Sequence, residues 1–145
     1  MLRFAPAALF FVLIAPALAQ PDTNAVIDHH LANMKTGNLA GVMSDYAPDA
    51  VVVTPAGLAN PSGVFAGADT RKLFSVLTDK AHLPGNKTLQ TRYDRVAADT
   101  TIMHWVQFRG TTQEVSGYDV FVVRGGKILF QTVTVNPSPK LMPAK

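Results

Sequence analysis

A change of period is the feature that most constrains this chain. From Lys87 to Asn136 apolar side chains recur at every second residue through four stretches, 88–97, 101–109, 113–124 and 128–136. Ala98 with Asp99, then Gly110, then Gly125 with Gly126, supply the turns between them. A period of two sends successive side chains to opposite faces of a strand, so this half of the chain must be sheet. Ahead of it the spacing is helical. Val26, Ile27, Leu31 and Met34 form one stripe, with His30 on it, and Gly37 closes that helix. Asn38 opens a short second helix through Leu39, Val42, Met43 and Tyr46, which Pro48 stops. A β-branched strand at 50–54, a loop at 55–63 and a brief strand at 64–66 precede a third helix carrying Leu73, Phe74, Leu77 and Ala81. Residues 83–86 read as loop. Helices first and long antiparallel strands afterwards make an α+β order.

Splitting the strands by face exposes a second constraint. Ile102, His104, Val106 and Phe108 share one side of the second long strand, and Met103, Trp105 and Gln107 the other. In the third, Val115, Gly117, Asp119, Phe121 and Val123 alternate with Tyr118, Val120 and Val122. Both faces are substantially apolar. Helices can cover one, and a second copy of the chain is the simplest cover for the other, through Trp105, Tyr118 and Val120.

Three polar residues fall on stripes expected to face the core: His30, His104 and Asp119. A buried histidine is ordinarily a satisfied core residue. An ionised carboxylate among apolar groups must be paired, hydrogen-bonded or protonated, which makes Asp119 the stronger pointer to a site. A three-residue connection, Arg124-Gly125-Gly126, aligns Asp119 with Leu129, Gln131, Val133 and Val135. A two-residue turn aligns it with Ile128, Phe130, Thr132 and Thr134 instead. The first face is the more apolar and is preferred.

Other chemistries find no support. There is no cysteine, which excludes a thiol nucleophile, cysteine-ligated zinc and disulfides. His29 and His30 point to different faces of one helix, and no metal-ligand spacing occurs, so neither a metal nor another cofactor is expected. With Arg3 set aside, 12 basic residues face 10 acidic ones without clustering, so no nucleic-acid partner is expected. Residues 1–19 have the form of a signal peptide: Arg3, an apolar stretch over 4–14, and Ala17-Leu18-Ala19. Cleavage after Ala19 would leave an exported domain over 20–136, periplasmic or secreted, without stable membrane insertion. Residues 137–145, with three prolines, read as a flexible tail.

The order of helix, short helix, "DYAPDAVVVTPAG", "FAGADTRKLF" and "GYDVFVVRGGKILFQTVTVN" resembles the NTF2-like superfamily, which includes SnoaL-like polyketide cyclases and ketosteroid isomerases. The resemblance spans about 23–136. It implies a cone in which a curved antiparallel sheet packs on three helices around a pocket, with dimers through the convex face. It implies no single activity, because isomerases, cyclases, dehydratases, epoxide hydrolases and non-enzymes share this scaffold. In the ketosteroid isomerases an Asp base precedes the proline of the matching strand, and a Tyr and a protonated Asp donate to the substrate oxygen. Those positions fall here on Thr54, His30 and Asp119, and His104 falls on a pocket-lining apolar position. A threonine hydroxyl does not serve as a carboxylate base at neutral pH, so the usual isomerase reaction is not expected. The resemblance and the stripes together nominate His30 and Asp119 for acid–base work, with Tyr46, Thr54, His104, Phe121 and Gln131 around a small apolar or partly polar molecule. Isomerisation, dehydration or cyclisation would suit them. The alternative is a non-catalytic ligand-binding or dimerisation module.

Overall fold

The computed structural model describes residues 22–137. The expected leader over 1–19, and the tail beyond Pro137, lie outside the described residues. Helix α1 (Thr23–Thr36) is capped by the Asp22 carboxylate, which accepts from the Asn24 amide at 3.2 Å. It ends at Gly37, whose φ of 70° suits a residue without Cβ. Helix α2 (Leu39–Ser44) is capped by Asn38, which accepts from the Gly41 amide. Strands β1 (Tyr46–Val53) and β2 (Val64–Ala66) lead through a single 3₁₀ turn to α3 (Thr70–Leu77) and then α4 (Leu83–Thr88). The sheet continues with β3 (Gln90–Arg95), β4 (Thr100–Gln107), β5 (Val115–Arg124), β6 (Lys127–Thr132) and β7 (Thr134–Val135).

Among the described residues four α-helices therefore stand where three are expected. The extra one is α4, a six-residue turn over the stretch read as loop, with Pro84 inside its first turn where a missing N–H costs no helix bond. The sheet is curved and unclosed, in the order β2-β1-β6-β5-β4-β3, with β7 beside β5. It is mixed rather than antiparallel, because β1 and β6 run parallel. The whole chain from 54 to 126 separates those two strands, and a parallel pair needs a long crossover of that kind. Pro48 does not end α2; it lies inside β1, where the pairing with β6 slips between Tyr46 and Val51. Proline has no N–H for a ladder, and a bulge is where the ladder does not ask for one.

The helices cover the concave face. Ile27, Val42, Leu73 and Phe74 meet Val52, Phe121 and Ile128, all of them essentially inaccessible to water. Each such side chain contributes about 1.5–3 kcal/mol relative to an exposed one.

Two registers decide what faces the cone. Arg124 pairs with Lys127, so the β5–β6 connection is the two-residue turn and not the three-residue one. Gly125 and Gly126 both have positive φ, 57° and 73°, which a tight hairpin turn of this hand requires. Beyond it the pairing shifts: Val123 faces Ile128, yet Val122 faces Phe130 and Phe121 faces Gln131. The extra residue, Leu129, is a bulge that restores the alignment of Asp119 and Phe121 with Gln131. Across β4 and β5, Met103 pairs with Asp119, Trp105 with Gly117, and His104 with Tyr118. Trp105 thus lies on the concave face and His104 on the convex one, the reverse of the expected assignment. Both faces of β4 are apolar enough that alternation alone cannot orient it.

Candidate functional site

The concave face and the helices enclose a cavity of about 230 Å³. Its walls are mainly apolar, from Leu31, Met34, Phe74, Leu77, Met103 and Val133. Asp119, Gln131 and Trp105 form a connected polar patch on the sheet side. The Trp105 indole donates from Nε1 to Asp119 Oδ1 at 2.8 Å, and Gln131 donates from Nε2 to Oδ2 at 2.8 Å. The Tyr46 hydroxyl donates in turn to Gln131 Oε1, which orients the amide with its nitrogen toward the carboxylate. The strand geometry explains the set. Gly117 lies opposite Trp105, and a Cβ there would come within 2.5 Å of the indole and 1.9 Å of the Thr134 carbonyl oxygen. Only glycine lets the ring lie flat across β5 and reach Asp119.

The electrostatics follow from burial. Asp119 is 5% exposed, and loss of water pushes its carboxyl up to about 7. The hydrogen bonds from Gln131, Trp105 and the Thr134 backbone pull the other way. Asp119 is therefore a carboxylate held as an acceptor on both oxygens yet poised to take a proton near neutrality. His30 on α1 is 2% exposed, and burial, with His29 adding repulsion, pulls its imidazole down to about 3. Its ring meets Tyr46, Phe74 and Phe121 edge to face at centroid separations of 5.5, 5.5 and 6.0 Å. Burial, then the nearby Asp119 and Asp45, hold the Tyr46 phenol well above its usual range, so it stays a donor.

Of the seven nominated residues, His30, Asp119 and Gln131 line the cavity. Tyr46 and Phe121 do not: they are buried behind it, Tyr46 acting on the cavity through Gln131 and Phe121 through its packing on His30. Thr54 is also off the cavity, its hydroxyl donating to the carbonyls of Pro55 and Gly63 in the loop that follows β1. His104 is on the outer face, its Nε2 2.9 Å from Asp94 Oδ2, with both side chains over 40% exposed. Trp105, read as a subunit contact, belongs to the site instead. Gly117 directly across the sheet is the signal that could have found it, since a large ring needs a small cross-strand neighbour. No cluster of three metal-ligating side chains occurs among the described residues.

This cone is the NTF2-like fold. An NTF2-like protein of unknown function from Mesorhizobium loti matches 85% of this chain and 98% of its own, at 17% identity and a TM-score of 0.60. TerC, co-crystallised with polyporic acid, matches over 79% of this chain and 92% of its own, at 17% identity and a TM-score of 0.59. A de novo designed protein with a curved β-sheet matches over 83% and 89%, at 16% identity and a TM-score of 0.62. No protein-family model matches the chain, and no curated protein matches it. At such identities the likeness carries the fold and leaves the activity to be argued from the cavity.

Proposed function

We propose that this chain is an exported, dimeric pocket protein that performs proton transfer on a small, mostly apolar molecule, with Asp119 as the base. The observation that carries the reading is the Asp119 carboxylate itself. It lies in an apolar cavity wall, bonded by Trp105 and Gln131, and burial pushes its pKa up to about 7. A base works best when its pKa lies near the operating pH, and burial has moved this one there. Taking a proton from one atom of a bound molecule and returning it to another is the core of isomerisation, dehydration and enol-forming cyclisation alike. The co-crystallisation of TerC with polyporic acid supports a small-molecule role for a cone of this shape. Thr54, turned into its own loop, supplies no second base. That absence favours the alternative reading, a carrier that holds its ligand unchanged.

Native mass spectrometry of the exported protein would recover any co-purified molecule. Incubating that molecule with protein in deuterated water then separates the readings. Wild type should exchange at least one carbon-bound hydrogen, and Asp119→Asn should not. A ligand that binds yet gains no deuterium identifies a carrier.

A further inference from the structure

Among the buried polar side chains that line the cavity, His30 is the one whose ring nitrogens have no partner. Trp105 commits its one N–H to Asp119, Tyr46 commits its hydroxyl to Gln131, and each Asp119 oxygen accepts one side-chain donor, its remaining lone pairs being left for the proton transfer proposed above. Asn86, buried in the cavity wall, donates to the carbonyls of Met34 and Leu77 and accepts from Gln107. Neither ring nitrogen of His30 has a partner among the described residues. Nδ1 is sealed from water and unbonded, whereas Nε2 is not sealed, on a ring that lines the cavity.

The aromatic surroundings favour one tautomer. Tyr46, Phe74 and Phe121 pack edge to face around the imidazole, and a lone pair turned toward such rings would gain nothing from their electron-rich faces. An N–H there keeps an attraction to a π face. The proton therefore belongs on Nδ1 and the free lone pair on Nε2. Resemblance alone would have placed a hydrogen-bond donor at this position; the surroundings make it an acceptor.

We infer that the cavity recognises its ligand as a hydrogen-bond donor: a flat, mostly apolar molecule bearing a phenolic or enolic hydroxyl, received by His30 Nε2. This deepens the pocket reading above and rests on it. At His30 Nε2 a molecule offering only a carbonyl or an ether oxygen would meet a lone pair with a lone pair. Such a molecule also leaves a buried acceptor unpaired, which is the kind of mismatch that discriminates between ligands most strongly.

The test uses β-naphthol and its methyl ether, which share a flat apolar body and differ in the donor. Calorimetry at neutral pH should show wild type preferring the naphthol by about tenfold or more, the worth of one buried hydrogen bond. His30→Phe should bring the two within about twofold of each other by removing that bond. A thermal melt confirms that the variant is folded. Imidazole nitrogen NMR on the wild type supplies a readout that needs no variant: Nδ1 should resonate as protonated and Nε2 as bare, with Nε2 shifting when naphthol is added. Equal binding of the two probes by wild type, or the opposite tautomer, overturns the donor-ligand inference and leaves the pocket reading standing. Failure of both probes to bind, with the expected tautomer present, counts against the pocket reading and takes this inference with it.

Discussion

His30 and Asp119 oppose one another in how they make stability depend on pH. Asp119 has a folded pKa of about 7 against an ordinary 3.8. Its contribution to stability is full below the lower value and is lost as pH rises through the higher one. His30 has a folded pKa of about 3 against an ordinary 6.5, so its contribution is full above 6.5 and is lost as pH falls toward 3. Each shift corresponds to on the order of 4–5 kcal/mol across its window. Between about pH 4 and 6.5 the two slopes offset each other, and the wild type should be nearly flat there. Single substitutions should uncover each slope. Asp119→Asn leaves His30 alone and should lose stability steadily on acidification from 6.5. His30→Phe leaves Asp119 alone and should instead lose stability as pH rises from 4 to 7. Urea midpoints at three pH values check both signs, whatever constant offset each substitution brings. Parallel profiles for wild type and both variants would mean that neither group is desolvated as the cavity geometry requires.

Among the elements, β5 carries most of the site, and its glycine is the most sensitive position. Gly117→Ala places a methyl group against a backbone oxygen at 1.9 Å and the indole at 2.5 Å, so β7 or Trp105 must move. A cost of about 3 kcal/mol or more is expected, at the upper end for overpacking. Trp105 is the chain's only tryptophan, so its fluorescence reports the displacement directly. A red-shifted emission with a lowered melting point is the expected pair; unchanged emission would contradict the Trp105–Gly117 register. The same strand shows how far the sequence could be read. The two-residue period placed the long strands, because each pleat turns alternate residues to opposite faces, and Asp119 stood out as a charge among valines. The face of β4 was not legible. Seven residues join β4 to β5, too many for a turn rule to set their register, and both faces of β4 offer apolar residues. Asp119 was aligned with Gln131 through the wrong connection. A tight turn over Gly125 and Gly126 and a bulge at Leu129 together produce the alignment that a three-residue connection alone would have given. Bulges leave little trace in a pattern of hydrophobicity, because they change pairing without changing composition.

The whole molecule leaves one broad surface without a cover among the described residues. On the convex face Val51, Val122 and Phe130 are half-buried, beside Val120, while Tyr118 is 39% exposed and Val64 48%. These side chains run across β2, β1, β6 and β5. Toward β3 the same face turns polar, with Arg92, Asp94 and His104 in mutual contact. An apolar centre with a charged margin is how a subunit interface is built, and a stable one needs about 800 Å² from each partner. The free edges argue against association by strand addition: β2 is only three residues long, and β3 carries Arg92, Asp94 and Arg95. Face-to-face pairing of two sheets is therefore the expected mode, and it should be isologous. Light scattering at micromolar concentration should give a dimer for the wild type. Val120→Asp, which puts an unpaired charge at the centre of the patch and outside the cavity, should give a folded monomer with its circular dichroism unchanged. The naphthol preference should survive in that monomer, since His30 and Asp119 both lie on the opposite side of the sheet. A wild type that stays monomeric at such concentrations would show that this face is solvated as it stands.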